Sequence, residues 1–385
     1  MICSVCNREF ARGYKNAIGE VVCCSCARKM IDGKKKKAKE FAQELISDAT
    51  EFFSQAFQDD ETRSSRLDIS EPDATCVDMK FEVVVNVNGV YTYEGESGVT
   101  FNIQGDGHIL VGAGVVEMRA CKIVCCDKCE HRTEPLVIGE DNCDLVIDHC
   151  VFVGCRGRSA ICVRGNLEIC NTEFTGFDVG PTMPVVESGT FARPTRLLLA
   201  GVRFEKCRST GGLVWHYGES RVEVCFFELC ECGGSLLCTA GLQMEKTKFR
   251  SCRTKKNLLS VRHASIREST FVVCGGETVV STSGNLELTG CAWRSCMTFG
   301  KAIIVSAGEL ILDAVDFVKC AVNGSVVYGA SKPVLANVRL AETYHVDGAL
   351  VSYGRGKSCP VSSMDTIEVT AITPETVDRC IEVRF

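Results

Sequence analysis

The cysteines near the start of the chain form two pairs whose spacing suits metal binding. Cys3 and Cys6 are separated by two residues, and so are Cys23 and Cys26. Each pair can supply two thiolates, and four soft thiolates match the tetrahedral coordination of Zn²⁺. Four protein ligands leave no open position on the metal, so the pattern predicts one structural zinc ion rather than a catalytic one. A pair of redox-active dithiols is the alternative.

The residues between the two pairs favour the zinc interpretation. Gly13 and Gly19 break the chain, and Glu20-Val21-Val22 reads as a short strand that returns to the second pair. Residues 27–30 then begin a helix. This order of knuckle, hairpin and second ligand pair resembles a treble-clef zinc module over residues 1–33. The resemblance implies a module that folds around its metal and binds a protein or, less often, nucleic acid.

A second group of possible metal ligands lies further along the chain. Cys126 and Cys129 repeat the two-residue spacing, and His131 or Cys143 would complete a second zinc site. The spacing of this group is less regular than that of the first. Inward packing of these cysteines at a corner of the fold is the competing interpretation.

Composition sets limits on the compartment and on the partners. The chain has 385 residues, of which 27 are cysteine. It begins without a basic and apolar leader and contains no run of 18 apolar residues, so we expect neither secretion nor a membrane span. Reduced cysteines and a cytoplasmic or nuclear location follow as expectations. The net charge of −6 excludes a global basic field that would attract nucleic acid.

Residues 34–60 have the periodicity of an amphipathic helix. Its apolar positions alternate at spacings of four and three residues and are Ala38, Ala42, Leu45, Ala49, Phe52 and Ala56. The helix could cover the open end of the following domain or form an oligomerising coiled coil, and its phenylalanines favour the covering role. The lysines within 34–39 are a solvated face, a nuclear-import signal or a phosphate contact. Residues 61–80 read as a linker.

An internal repeat organises residues 81–385. Its core phrase is Leu-x-Ile/Leu-x-x-Cys/Thr-x-Phe-x-x-Cys, and six of the seven spacings between its aromatic residues are 22 to 24. Three short strands in about 22 residues make one turn of a right-handed parallel β-helix, in which like residues stack about 4.8 Å apart. We predict about 13 turns, fewer if the ends are irregular. The aromatic positions should form an internal ladder, and the cysteine three residues later should form a thiol ladder.

The opening of this region resembles a known superfamily. Residues 99–107, Val-Thr-Phe-Asn-Ile-Gln-Gly-Asp-Gly, are similar to first turns of pectate-lyase-like β-helices. That resemblance implies an all-β solenoid whose first turn is often covered by an amphipathic helix. The Cys-x-Phe-x-x-Cys phrase is further similar to the β-helix of the adenovirus large early transforming protein and its capsid-decorating relative. The superfamily includes polysaccharide lyases, glycoside hydrolases and esterases.

Catalysis in such folds needs clustered carboxylates on one outer face, and the repeat does not predict a cluster. Asp144 and Asp148 share one turn, but the matching positions of the next turn are Asn166 and Cys170. Recurring outward glutamates, such as Glu223 and Glu245, read as solvated strand faces. No enzymatic activity is therefore predicted.

Two insertions interrupt the regular turns, around residues 129–142 and 177–194. The second carries four candidate binding residues, namely Asp178, Glu187, Phe191 and Arg193. Loops on a rigid scaffold commonly bind partners, although an irregular excursion without function is the alternative. We expect a non-enzymatic scaffold or adaptor that binds host or other proteins, in which a viral origin is one option. A self-associating structural subunit, such as a trimer, is the second hypothesis, and a polysaccharide lyase or glycoside hydrolase is the third.

Overall fold

The computed structural model divides the chain into two units, residues 1–70 and 71–385. In the first unit it describes residues 13–15 and 21–23. In the second it describes residues 75–79, 83–85, 90–93 and 99–103. It continues over residues 108–354, except 113, 126–133, 140–142, 181–182, 191, 194 and 346–349, and adds 357–358 and 367–370. Side chains are described within these ranges from residue 100 onward, except those of residues 344, 358 and 367–370.

The described part of the first unit is a short antiparallel hairpin. Gly13–Lys15 pairs with Val21–Cys23, and Tyr14 lies opposite Val22. The predicted zinc ligands Cys3, Cys6 and Cys26 lie outside the described residues, and so does the side chain of Cys23. The predicted helix over residues 34–60 also lies outside them. The zinc site and the helix therefore stay predictions.

The second unit is a parallel β-solenoid of about ten turns, which confirms the predicted all-β repeat fold. Its strands pair with the equivalent strands of the preceding and following turns, as in the match of Phe227 with Phe204 and Phe249. About ten turns compare with the expected 13, because the pairing of all three sheets is incomplete towards both ends of the described region: sheet 2 has thirteen strands there and sheet 3 has eight. The described residues contain no helix long and apolar enough to cross a membrane.

The largest sheet, sheet 1, takes two strand segments from each turn. The first segments are Val83–Val85, Ile109–Val111, Val137–Gly139, Ile161–Val163, Val186–Ser188, Val214–His216, Thr278–Thr282, Ala302–Ser306, Ser325–Gly329 and Val351–Tyr353. The second segments are Val90–Tyr93, Gly114–Arg119, Cys143–Asp148, Leu167–Cys170, Arg196–Ala200, Glu219–Glu223, Leu286–Thr289, Leu310–Asp313 and Val334–Ala336. Leu237–Glu245 and Asn257–Arg267 run through both segments. Lys357–Ser358 pairs antiparallel with Val351–Tyr353.

Two further sheets complete each turn. Sheet 2 consists of Thr75–Met79, Val99–Ile103, Cys121–Cys125, Val151–Val153, Glu173–Thr175, Arg203–Glu205, Phe226–Glu228, Lys248–Arg250, Thr270–Val272, Ala292–Arg294, Asp316–Val318, Val338–Ala341 and Ile367–Thr370. Sheet 3 consists of Asp178–Val179, Arg208–Ser209, Glu231–Cys232, Arg253–Thr254, Gly275–Gly276, Met297–Thr298, Ala321–Val322 and Tyr344–His345. The first strand of sheet 2 begins at Thr75, inside the segment predicted as a linker.

An aromatic stack fills the interior behind sheet 2, as the repeat predicts. Its members are Phe152, Phe174, Phe204, Phe227, Phe249, Phe271, Trp293 and Phe317. Neighbouring ring centroids lie 4.7 to 5.1 Å apart. Because each strand alternates inward and outward side chains, the middle residue of every three-residue strand of sheet 2 enters the core. The stack therefore follows directly from parallel register.

Two sharp corners flank sheet 2 in each regular turn, and each is a single residue in the left-handed backbone conformation. The first corner comes just before the strand; its residues include Asn171, Val224, Lys246 and Asn337. The second corner comes just after it; its residues include Lys206, Leu229, Ser251 and Val273. Such residues carry φ near +50°, a region that asparagine and glycine tolerate and β-branched residues avoid. The corners turn the chain from one sheet to the next.

Candidate functional site

The thiol ladder is an internal packing feature. It consists of Cys207, Cys230, Cys252, Cys274, Cys296 and Cys320, all buried. Most of these thiols donate to the carbonyl oxygen of the aromatic residue one turn earlier, as Cys252 does to Phe227 at 3.2 Å and Cys296 to Phe271 at 3.3 Å. Burial raises the pKa of both thiols, and hydrogen bonding among ladder thiols adds to the effect. Neutral buried thiols are poor nucleophiles, so the ladder serves the core.

One cysteine pair departs from the expectation that the cysteines are reduced. Cys125 and Cys155 form a disulfide with their Cα atoms 5.5 Å apart. Cys155 occupies the position of a ladder cysteine, but Phe177 takes that position in the next turn and is fully buried. Its ring lies against Gly154, where a Cβ atom would clash with it. Phe177 thus interrupts the ladder, and Cys155 pairs with Cys125 from the preceding turn instead.

The proposed second metal site is not assembled by the described residues. Cys143 begins a strand of sheet 1 and is fully buried in the core. Cys126, Cys129 and His131 lie outside the described residues. Within the described ranges no group of three His, Cys, Asp or Glu side chains could hold a metal ion. Cys143 therefore packs inward, as the competing interpretation expects.

The described candidate loop residues lie at different places in the fold. Asp178 lies in sheet 3 and pairs with Arg156 at 4.0 Å. Glu187 lies in sheet 1, points outward and accepts a hydrogen bond from the Tyr217 hydroxyl at 3.1 Å. Arg193 forms an isolated antiparallel bridge with Thr190. Phe191 lies outside the described residues, so its place in a binding loop stays a prediction.

A serine and a histidine meet beside this insertion. Ser188 Oγ lies 2.9 Å from His216 Nδ1, and His216 Nε2 lies 3.2 Å from the carbonyl oxygen of Thr195. These are the residue types of a nucleophile and its base. Their exposed fractions are 0% and 3%, however, and burial lowers the pKa of His216. The pair therefore acts as an internal polar contact that connects the two ends of the insertion.

The outward carboxylates are engaged with neighbouring cations instead of with one another. Glu245 pairs with Lys246 at 2.8 Å, and Glu287 lies 3.7 Å from Arg267. Glu223 contacts Arg221. Each of these contacts lies on the solvent side of sheet 1 or at its corner. The recurring glutamates form a solvated, charge-balanced strand face.

An apolar row on sheet 2 is the feature that stands out from the repeat. It consists of Val224, Phe226 and Leu229, all on one turn. Four large apolar side chains of the described region are exposed, and Val224 and Phe226, at 49% and 40%, are two of them. Leu229 is half-buried. Because two of the four share one turn, the row is a concentrated apolar patch on an otherwise polar face.

The solenoid supplies its own comparison for two of the three positions of the row, those of Phe226 and Val224. Equivalent residues of neighbouring turns occupy the same place on the surface. At the position of Phe226 they are Lys122, Val151, Glu173, Arg203, Lys248, Thr270, Ala292, Asp316 and Arg339. At the first corner they are Ala120, His149, Asn171, Gly201, Lys246, Glu268, Gly290, Ala314 and Asn337. Charged, polar and small residues dominate both sets, so the fold itself does not require an aromatic or a β-branched residue there.

Backbone strain adds to the exposure at Val224. Its φ is +54°, and it is the one β-branched residue at a first corner in the described turns. A β-branched residue in this conformation is an outlier that costs about 1–3 kcal/mol. An exposed side chain recovers little of that cost by packing. Strain retained at an exposed apolar position is characteristic of binding sites.

Charged side chains border the row on both neighbouring turns. Glu228, which lies between Phe226 and Leu229, accepts from Arg203 Nη2 at 3.0 Å and from Arg250 Nη1 at 3.3 Å. Lys248 Nζ lies 5.5 Å from the centroid of the Phe226 ring. The surface thus has an apolar centre and a polar rim, the arrangement found in protein interfaces.

The apolar row was not among the candidate residues drawn from the sequence. The signal was present in the repeat, because its outward columns can be aligned by counting from each core phenylalanine. The spacing of the chemically reactive residues does not indicate the apolar row. What the sequence could not supply was the exposure of these side chains or the left-handed conformation of Val224 and Leu229.

The chain matches no protein-family model, no curated protein and no solved structure. Strand pairing alone therefore establishes the solenoid fold. The resemblance to pectate-lyase-like proteins, to the adenovirus protein and to treble-clef modules stays a prediction.

Proposed function

We propose that this protein is a non-enzymatic interaction scaffold that binds a protein partner through the apolar row. The observation that carries the proposal is the exposed Val224 and Phe226 on one turn of a polar strand face. Aromatic and aliphatic anchors surrounded by polar groups contribute most of the energy in many protein interfaces. The candidate site is therefore the row with its charged rim.

A stiff support favours this role. The aromatic stack and the inter-turn hydrogen bonds order the residues behind the row before any partner arrives. A preformed surface loses little conformational entropy on binding, so more of the contact energy appears as affinity. In this proposal the solenoid presents the row and contributes no chemistry.

The remaining expectations from the sequence complete the proposal. A structural zinc ion held by Cys3, Cys6, Cys23 and Cys26 would stabilise a second attachment module. A cytoplasmic or nuclear protein is proposed, with nucleic acid contacted at most through residues 34–39. The resemblance to solenoids of the pectate-lyase-like superfamily is proposed for the fold without its lyase or hydrolase activity. Self-association is the second candidate function, because an exposed apolar row can also pair with a second copy.

The test compares proteins that co-purify with the full-length chain and with two variants. The row variant combines Val224→Asn, Phe226→Thr and Leu229→Ser, each a residue type that another turn carries at the same position. The control variant combines Phe299→Thr and Val334→Thr, the other two exposed apolar side chains. We expect the row variant to lose a partner that wild type and control retain. Equal recovery by all three would contradict the proposal.

Sedimentation velocity of the same three proteins separates the two candidate functions. The scaffold function is supported if the wild type is a monomer and the row variant loses the partner. An oligomer that dissociates only in the row variant supports self-association instead.

A further inference from the structure

We infer that the apolar row binds an acidic segment of its partner, one that carries apolar side chains between aspartates or glutamates. The inference rests on the proposed function and specifies the chemistry of the partner at the same site. It follows from the charges that surround the row, from their internal pairing and from the side chains of the row itself.

The two turns that border the row are strongly cationic. Between their first and second corners they carry Arg203, Glu205 and Lys206 on one side and Lys246, Lys248 and Arg250 on the other. Together with Glu228 on the turn of the row, these are five cations and two anions, in a chain whose overall net charge is −6. A basic area of this kind in an acidic protein attracts an anionic ligand and orients it during encounter.

Internal ion pairs leave part of this charge directed outward. Glu228 accepts from two arginines, and Glu205 pairs with Arg203 at 2.9 Å. Lys246 pairs with Glu245 at 2.8 Å. Among the described residues, Lys206 and Lys248 are the cations of this area that form no ion pair. Lys248 instead lies over the Phe226 ring, so its ammonium group and the apolar centre are presented together. A carboxylate next to an apolar side chain would contact both groups at once.

The side chains of the row favour a peptide over a nucleic acid. Single-stranded nucleic acids bind through aromatic side chains on which successive bases stack. The row offers one aromatic residue between two aliphatic ones, Val224 and Leu229, which suit aliphatic or aromatic side chains of a peptide.

The experiment measures fluorescence anisotropy of labelled probes added to the full-length protein. The main probe is a short peptide in which Leu and Phe alternate with Asp and Glu. A second peptide has Lys in place of the acidic residues, a third has Ser in place of the apolar residues, and a fourth probe is single-stranded oligothymidine. We expect the acidic, apolar peptide to bind at least about tenfold more tightly than the other three.

Two variants locate the interaction. Phe226→Thr should lower the affinity for the acidic peptide by about tenfold or more, since it removes the central anchor. The triple variant Lys206→Glu, Lys246→Glu and Lys248→Glu should lower this affinity to a similar extent and reduce the salt dependence of binding. The matched control Lys301→Glu, Lys319→Glu and Lys332→Glu makes the same change in net charge on later turns. Circular dichroism melting curves establish that each variant is folded.

The outcomes distinguish the partner chemistry from the proposed function. If the basic peptide or the oligonucleotide binds as tightly as the acidic peptide, the inference is wrong. It is also wrong if the charge-reversed row and the control bind the acidic peptide equally well. If the acidic peptide fails to bind while the row variant still loses a cellular partner, the scaffold function stands and only the partner chemistry is rejected. If both experiments fail, neither stands.

Discussion

At each corner of the solenoid, the local free energy depends on how well the residue type tolerates the left-handed backbone conformation. A left-handed residue is held there by the strands on either side, whatever its side chain. Asn171 and Asn337 use this conformation to donate from Nδ2 to Asp148 and Asp313 of the preceding turn, at 3.0 and 3.1 Å. Val224 occupies the equivalent corner without such a hydrogen bond to offer.

Replacing Val224 with Asn should therefore stabilise the protein. We expect the free energy of unfolding to rise by about 1 kcal/mol, because asparagine tolerates a φ of +54° and the lost side chain is exposed. Urea denaturation measures the change. Val273→Asn at a second corner, where φ is also +54°, is the matched control and should behave similarly. A lower unfolding midpoint in Val224→Asn would mean that valine packing outweighs strain.

His216 should make stability depend on pH in a defined window. Burial lowers its pKa in the folded state, so the unfolded chain takes up the proton first as the pH falls through about 6.5. The folded state consequently loses stability as the pH falls below about 7.5 and through the unfolded-state pKa of about 6.5. His216→Thr, which copies Thr239 of the next turn, should reduce this loss in urea midpoints. The comparison variant is His263→Thr, which removes an exposed histidine instead of a buried one.

At the scale of elements, the aromatic stack is the main contributor to packing. Each ring fills the centre of its turn and contacts the rings above and below it. Trp293 continues the stack, but its indole N–H is buried without a hydrogen-bond partner. A ring of the right size thus matters more at this position than an indole.

Two substitutions in the stack should therefore have unequal effects. Phe249→Ala leaves a cavity between two rings and should lower the free energy of unfolding by about 3–5 kcal/mol. Trp293→Phe restores the residue type of the stack and removes an unsatisfied donor, so its cost should stay below about 1 kcal/mol. Chemical denaturation of both variants gives the comparison. Equal losses would show that the indole makes a specific contribution.

The thiol ladder should be protected from alkylation as long as the solenoid is folded. Cys238 is exposed on sheet 1, whereas Cys252 is buried in the ladder. Burial raises the pKa of Cys170, and also that of Cys162, to about 11. Burial also raises the pKa of the Cys238 thiol, so its exposure alone distinguishes it from Cys252. Peptide mapping after brief iodoacetamide treatment should find Cys238 modified before Cys252, which should react only after denaturation. Modification of Cys252 at the rate of Cys238 would indicate that the turns open readily.

At the scale of the whole molecule, the solenoid joins each turn only to its neighbours. Sheet 2 runs in strict order along the chain, and inter-turn hydrogen bonds repeat with it. In such a molecule stability is approximately a sum of turn and interface terms, and a local defect propagates over few turns. Partner binding at the row would accordingly act on nearby turns.

Hydrogen exchange can test this local coupling. In Phe249→Ala, amides of residues 219–267 should exchange faster than in the wild type, while those of residues 137–163 should keep their rates. Mass spectrometry of proteolytic fragments resolves the two regions. A uniform increase over both would show that the solenoid unfolds as one cooperative unit.

Much of this architecture could be predicted from the sequence, because in a repeat of near-constant length the residue pattern of one turn predicts that of the next. Phe227 and Cys230 recur with their neighbours at a near-constant period, and parallel pairing converts that period into stacked columns. The inward side of each strand was therefore predictable from alternation alone. The second metal site stays a prediction, because Cys126, Cys129 and His131 lie outside the described residues and Cys143 alone does not decide it.

The sequence by itself determined the repeat, the aromatic stack and the burial of the ladder cysteines, because these depend on local spacing. Only the tertiary structure decided which residues meet across an irregular turn. In that structure Phe177 fills the ladder position, and Cys125 is bonded to Cys155. Asp178 and Glu187 lie on different sheets. The structure also exposes the apolar row between two cationic turns. Contacts of this kind depend on insertion lengths and corner conformations, which act between turns and leave no periodic signal in the chain.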